Sequence, residues 1–160
     1  MKAIVAVDEH WGIGREGKLL CPLSADLRRF KVLTMGHPVI LGRKTLSTFP
    51  GGPPLPGRRN LILSRDPGFQ AAGAEVFRSR GALLATAPDD SVVIGGESIY
   101  KMLLAVCDTV WVTRIFRTFD ADAWFPDLDA DPAWTAAAEP PLEEDGVRFQ
   151  YVTYTRQAGT

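Results

Sequence analysis

The sequence predicts an α/β fold in three layers, a mainly parallel, twisted sheet with helices on both faces that closes on a C-terminal antiparallel strand. Three observations lead there. Short apolar runs at residues 3–7, 38–41, 60–63, 74–77 and 92–94 read as strands buried on both faces. Segments of helical spacing alternate with these runs, which implies parallel strands joined by helical crossovers. After Cys107 the alternation stops. Thr109–Ile115 and Val147–Arg156 need no helix between them, as suits antiparallel closure.

The totals narrow the possibilities. With 160 residues, 46% of them hydrophobic, one well-packed domain spanning 1–160 is expected. A formal net charge of −1 gives no reason to expect nucleic acid or an anionic membrane as partner. Cys21 and Cys107 cannot build a disulfide framework, and no His or Cys cluster has metal-ligand spacing, so no metal is expected and the cytoplasm is the expected compartment. The run at 3–7 is too short for a signal h-region and is followed by Asp8-Glu9, while nothing approaches a membrane span.

After the first strand, residues 8–22 read as a loop containing the spelling G-x-G-x-x-G at Gly12, Gly14 and Gly17. A dinucleotide fingerprint must end a strand and open a helix, whereas here Pro22 follows, so that reading is rejected. A mobile flap, with Trp11, Ile13, Leu19 and Leu20 covering a ligand, fits better. Ser24 then reads as the N-cap of a helix on which Leu23, Leu27, Phe30 and Thr34 share a face. Asp26 shares that face, while Arg28, Arg29 and part of Lys31 point elsewhere. A carboxylate there either complements the helix dipole, partly solvated, or lies at the bottom of a pocket and binds a ligand with adjacent N–H donors.

The second strand ends at Gly42-Arg43-Lys44-Thr45, where two cations precede a helix. The helix dipole prefers acids at that end, so an external anion would account for them. In the Pro/Gly-dense stretch 50–57 the prolines fix a turn that would hold Arg58 in a defined direction, as suits carboxylate recognition. The third strand ends at Ser64-Arg65, so basic residues gather at strand C-termini, where open α/β sheets bind ligands. A strand at 74–77 and a short helix at 81–87 follow. Next comes Val92-Val93-Ile94-Gly95-Gly96-Glu97-Ser98-Ile99-Tyr100, read as strand, tight turn and helix, with Ile99, Met102, Leu103 and Val106 at helical intervals. Paired glycines admit close approach of a backbone, and a helix starting near Glu97 would aim free N–H groups at a phosphate. A tight turn between packed elements is the alternative.

Taken together these motifs resemble the dihydrofolate reductase family from Ala3 to about Tyr154. The helix segment Leu23-Ser24-Ala25-Asp26-Leu27-Arg28-Arg29-Phe30-Lys31 is similar to the family's substrate helix, with Asp26 on its single pocket carboxylate. Residues 38–45 match its strand and cofactor helix, and 55–60 the segment whose arginine holds the glutamate tail of folate. Residues 94–100 match its nicotinamide and pyrophosphate segment, and Trp124-Phe125-Pro126-Asp127 the motif before the last strands. One departure stands out: where the family has Leu-Pro-Trp before the substrate helix, this chain has Leu20 and Cys21, with Pro22 one place later. The indole is missing, and Cys21 reads as a small buried hydrophobe rather than a reactive thiol.

The resemblance implies a dihydrofolate reductase-like fold and hydride transfer from NADPH to 7,8-dihydrofolate, with a proton delivered to the neighbouring ring nitrogen. It implies that Asp26 pairs with the pterin, that Thr113 hydrogen-bonds that carboxylate or the ligand, and that Ile4, Val5, Ala6, Leu27, Phe30, Lys31, Phe49, Leu55, Arg58, Ile94 and Tyr100 contact substrate, the carbonyls of Ile4 and Ile94 accepting from the ligand amine. For the cofactor it implies Ala6, Ile13, Leu19, Gly42, Arg43, Lys44, Thr45, Leu63, Ser64, Arg65, Ile94, Gly95, Gly96, Glu97, Ser98, Ile99 and Tyr100, with a cis Gly95-Gly96 bond. Without an evident ribose-binding acid, Arg43, Lys44 and Arg65 favour a 2′-phosphate, hence NADPH over NADH. A monomer is expected. Two other readings compete: reduction of another pterin or of an aminopyrimidine, such as the aminouracil of riboflavin synthesis, for which the helix carboxylate should be absent, and a non-catalytic folate or nucleotide binder, for which the missing tryptophan speaks.

Overall fold

The apolar runs become the strands of one mixed sheet in a computed structural model that describes residues 1–49 and 54–157. Residues 50–53 of the Pro/Gly-dense stretch, and 158–160 of the expected domain, lie outside the described residues. In chain order the elements are β1 (Lys2–Val7), β2 (Gly12–Gly14), α1 (Ser24–Thr34), β3 (Val39–Gly42), α2 (Arg43–Leu46), β4 (Asn60–Leu63), β5 (Glu75–Phe77), α3 (Arg80–Thr86), β6 (Val92–Gly95), α4 (Glu97–Leu103), β7 (Thr109–Ile115), β8 (Ala123–Trp124), β9 (Trp134–Ala138), β10 (Leu142–Glu144) and β11 (Val147–Arg156). The large sheet runs β10-β11-β7-β1-β6-β3-β4-β5, with β9 also paired to β11. Pairing is parallel from β7 through β5 and antiparallel around β11.

Period-two alternation sorts the sheet residues onto its two faces. Ile40, Leu61, Leu63 and Val93 pack in one cluster with Leu83 of α3 and with Ile99, Tyr100 and Leu103 of α4. Their neighbours Val39, Leu41 and Ile62 turn the other way and meet Leu46 of α2. Ile40, Leu41, Leu61 and Ile62 are fully buried, and such burial stabilises by roughly 1.5–3 kcal/mol per side chain. A third cluster joins Leu23, just before α1, to Ile115 of β7 and to Val147 and Phe149 of β11.

Several expectations need correction. The segment 8–22 is not loop throughout: β2 pairs with β8 as a small second sheet, because Gly12 and Gly14 expose backbone that Trp124 and Ala123 complete. Trp11 of this segment faces the protein interior. It is buried against Phe125, with a ring separation of 6.2 Å, and lies edge-on to Tyr154 at 5.7 Å. Leu23, not Ser24, occupies the N-cap of α1 and offers no side-chain cap. Val106 falls outside α4, in a 3-10 turn, and is exposed, because the helix tightens after Leu103. Beyond the expected Thr109–Ile115 and Val147–Arg156, β9 and β10 extend the antiparallel region along the edge of β11 that faces away from β7, β10 at its start and β9 at its end.

Candidate active site

A crevice opens where strand pairing ends. β1 and β6 pair at Lys2↔Val92 and Ala3↔Val93, whereas β1 stays paired with β7 out to Val7↔Arg114. On its other side β6 slips register against β3, from Ile40↔Val93 to Leu41↔Gly95, leaving Ile94 as the extra residue. Such a bulge bends a strand and re-aims its neighbours. The Gly95-Gly96 bond that follows is cis, and Gly95 has φ +142. A Cβ built on either glycine would lie 3.3 Å from Thr45 Oγ1, so the backbone passes close to α2. Tyr100 spans the opening from α4: its hydroxyl donates to the carbonyl of Ile4 at 2.6 Å, and burial raises its pKa. One acceptor position of the Ile4 carbonyl, expected to serve a ligand amine, is therefore taken by Tyr100.

Asp26 is brought to this crevice by α1. Thr113 of β7, paired in register with Ala6, donates its hydroxyl to Asp26 Oδ1 at 2.5 Å. Burial raises the Asp26 pKa above its ordinary value, with Glu144 adding to the rise, while the Thr113 hydrogen bond and the Arg29 charge oppose it. A half-buried carboxyl with a raised pKa in a crevice has the marks of a functional acid. Ala6 and Ile94 are half-buried here, and Leu27 and Leu19 are about half exposed. Ile4 and Val5 are largely buried in β1, Phe30 is half-buried on α1, and Lys31 is exposed. Arg29, expected to point away, lays its guanidinium 4.0 Å above the Tyr151 ring, because α1 packs against β11 on that side.

Arg58 is held as its turn implied. Its Nε donates to the Pro56 carbonyl and its Nη1 to Thr34 Oγ1, both at 2.9 Å. Thr34 in turn donates to the Phe30 carbonyl on α1. Asn60 locks the turn by accepting from the Leu55 amide and donating to the carbonyls of Leu55 and Arg58. Phe49 and Leu55 pack at the edge of the cluster beneath.

The donor set at the C-terminal ends of β3, β4 and β6 fits an anionic dinucleotide. Arg43 and Lys44 open α2, Arg65 follows β4, and all three are exposed. Gly42 lies against Ile99, where an added Cβ would come within 3.1 Å, and Gly96 leaves α4 without a side-chain cap. Leu63 and Ser64 are buried, Thr45 and Ile13 half-buried, and Ser98 exposed. Arg43 already has an internal counter-ion, since Asp66 lies 3.3 Å from its Nη1. Asp66 is held in place by accepting from the Gly68 amide at 2.9 Å, so an acid does stand near the expected phosphate site. Glu97 turns toward the second sheet, where its carboxylate accepts from the Trp124 amide. Exposed contacts reach the 8–22 segment as well, since Asp122 accepts from the Glu16 amide at 2.9 Å and Arg15 lies 3.1 Å from Asp120.

The model of the dihydrofolate reductase family matches residues 1–156. This chain belongs to the dihydrofolate reductase family. It is 37% identical to dihydrofolate reductase type 3 of Salmonella typhimurium over 159 residues, 96% of each chain. It is 40% identical to the dihydrofolate reductase of Mycobacterium leprae over 151 residues, 90% of each. A solved dihydrofolate reductase of Enterococcus faecalis, complexed with NADP(H) and RAB-propyl, is similar to it with a TM-score of 0.86 and 37% identity, over 97% of this chain and 95% of that one. Against the dihydrofolate reductase pattern, Cys21 replaces an indole with a half-buried thiol in the cluster of Leu23, Ile115 and Phe149.

Sequence reasoning passed over three side chains that shape this site: Asn60, Asp66 and Glu144. An Asn that follows a Pro/Gly turn and opens an apolar strand is a readable signal for Asn60. Asp66 and Glu144 look in sequence like ordinary acids of polar turns.

Proposed function

We propose that Asp26 is the carboxylate around which this chain reduces 7,8-dihydrofolate to 5,6,7,8-tetrahydrofolate with NADPH. The observation that carries the assignment is its half-burial beside Thr113, with a raised pKa, at the mouth of the crevice between β1 and β6. When bound, NADPH supplies the hydride that reduces a carbon of the dihydropterin ring. Asp26 pairs with the amine and ring N–H of the pterin and favours protonation of the neighbouring nitrogen, and Thr113 keeps its carboxylate aimed. The apolar walls are Ile4, Val5, Ala6, Leu27, Phe30, Phe49, Leu55 and Ile94, which exclude water from the reacting atoms. Arg58, oriented by Thr34 and Pro56, receives the carboxylate of the substrate's tail, and Lys31, exposed on α1, also serves the substrate. Arg43, Lys44, Thr45, Ser64 and Arg65 hold the cofactor's phosphates, and Gly95 and Gly96 give its nicotinamide a bare backbone to lie against. Residues 8–22 form the mobile flap, with Ile13 and Leu19 facing the cofactor.

The chain acts as one domain and as a monomer in the cytoplasm. Support comes from its large exposed apolar side chains, scattered over several elements, and from two free thiols in separate clusters. Among the described residues no helix is long and apolar enough to cross a membrane. Loss of NADPH absorbance on adding dihydrofolate tests the activity. Turnover with an aminopyrimidine substrate alone would assign the chain to a different reduction, and binding without turnover would make it a non-catalytic binder.

A further inference from the structure

We infer that Glu144 is a positioning residue for the Asp26 carboxylate, clamping the first turn of α1 from the far end of the chain. The inference rests on Asp26 being the catalytic carboxylate, as proposed above. A helix of this kind ordinarily draws its cap from its own flank, a Ser, Thr, Asp or Asn at the N-cap accepting from its first amides. Here Leu23 occupies that place and has nothing to offer. The Glu144 carboxylate accepts instead, from the Ser24 amide at 2.7 Å through Oε2 and from the Ala25 amide at 2.9 Å through Oε1. Charge-assisted bonds to two successive amides fix both the height and the rotation of the first helical turn. Asp26 is the next residue.

Glu144 is well placed for this because it is itself held rigidly. It pairs with Val147 across the turn between β10 and β11, whose central residues Asp145 and Gly146 both have positive φ, +50 and +77. A tight two-residue turn of that hand matches the twist of the strands it joins. β11 continues into the pairing with β7 that sets Tyr151 opposite Thr113. The same sheet region therefore holds Asp26 twice, directly through the Thr113 hydroxyl and indirectly through Glu144 on the helix amides.

The electrostatic surroundings give the clamp a second consequence. Asp26 faces Arg29 on its own helix, Glu144 from β10, the Thr113 hydroxyl from β7, the Tyr100 hydroxyl from α4 and the Tyr151 hydroxyl from β11, with Glu139 lying 3.9 Å from Arg29. Arg29 draws the proton off Asp26 and Glu144 opposes it. Loss of the Glu144 charge therefore eases ionisation of Asp26, and release of the helix N-terminus, with its partial positive charge, acts in the same direction.

The test compares Glu144→Gln, Glu144→Asp and, as a control on the adjacent exposed residue of β10, Glu143→Gln. The readouts are kcat/KM for dihydrofolate across pH, the titration of Asp26 followed by carboxyl 13C NMR, and Tm. Glu144→Gln is expected to lower kcat/KM about three- to tenfold, as for a lost cap and a loosened catalytic group, and to move both the pH profile and the Asp26 titration to lower pH. Glu144→Asp, which keeps the charge at shorter reach, should lose activity with a smaller move of the profile. Glu143→Gln should match the parent in all three. A Glu144→Gln protein that melts lower yet keeps the parental profile and Asp26 titration would make Glu144 a structural cap only and overturn the inference. Full activity in Asp26→Asn would instead remove the catalytic assignment on which it rests.

Discussion

Thr113 Oγ1 donates to Asp26 Oδ1 at 2.5 Å, so a strand in the middle of the sheet holds the carboxylate of a helix lying across it. That bond favours the charged form and partly offsets the burial that raises the Asp26 pKa. Thr113→Val keeps the shape and removes the donor. It is expected to move the pH profile of kcat/KM to higher pH, opposite to Glu144→Gln, and to lower activity near neutral pH about tenfold, the value of one hydrogen bond to a charged group. A profile that stays in place would show that the hydroxyl does not act on Asp26.

Asp26→Asn is expected to cost about 10²–10⁴ in turnover near neutral pH, because the amide cannot supply the charge that favours the protonated substrate. The same change should stabilise the fold. A folded-state pKa raised above the unfolded value means that the ionised group opposes folding, so Asp26 lowers stability as pH rises through the folded pKa and not below the unfolded one. Thermal melts should therefore place the Asn variant above the parent at pH 7, with the gap closing as pH falls below about 4. A parent more stable than the variant at pH 7 would contradict the burial argument.

Cofactor choice should respond to charges of both signs. Arg43→Ala combined with Arg65→Ala is expected to weaken NADPH about tenfold or more and NADH far less, since only NADPH loses charge-assisted bonds to its 2′-phosphate. Asp66→Asn, which frees Arg43 from its counter-ion, should tighten NADPH about two- to fivefold, the range of an exposed ion pair, and more so at low salt. Cofactor titrations by fluorescence measure both. Equal losses for the two cofactors would show that these cations do not read the 2′-phosphate.

Gly95→Ala places a methyl group where φ is +142 and Thr45 Oγ1 lies 3.3 Å away. Both features oppose it, and a destabilisation above about 1 kcal/mol is expected together with loss of NADPH binding. Gly17→Ala, at φ +77 with open space around it, carries the conformational penalty without the crowding. A Gly95→Ala protein that binds NADPH normally would place the nicotinamide elsewhere.

Most of the sheet was legible because its strands are buried on both faces and so appear as unbroken apolar runs. Asn60–Leu63, Thr109–Ile115 and Val147–Arg156 have the observed bounds. The strands that escaped had no such signal. β2, β8 and β10 have two or three residues each, and in β9 only Trp134 is buried, the alanines after it lying exposed. Asp26 could be found because it shares a helical face with Leu23 and Phe30, and Arg58 because prolines constrain its turn. The Asp66 and Glu144 contacts could not be found, since Asp66 sits in a polar turn and Glu144 at the end of a short polar strand, and each gains its role from a partner 23 residues or more away. Leu23 was buried by the β7 and β11 cluster, which removed the expected cap from Ser24 and left the helix amides for a distant carboxylate.

The order in which the ribosome makes this chain gives β11 a particular weight. Asp26 emerges early, after β1, and the rest of its helix, β3 and the arginine turn follow soon after. β7 still lacks its second neighbour, and α1 its cap, until residues 142–156 have been synthesised. Synthesis proceeds from the N-terminus at about 5–20 residues per second, so a nascent chain spends seconds with its cofactor-side strands complete and the helix that carries Asp26 uncapped. A chain stalled or clipped before β10 should therefore acquire nucleotide affinity ahead of turnover, and release of the last fifteen residues of the sheet should switch on reduction.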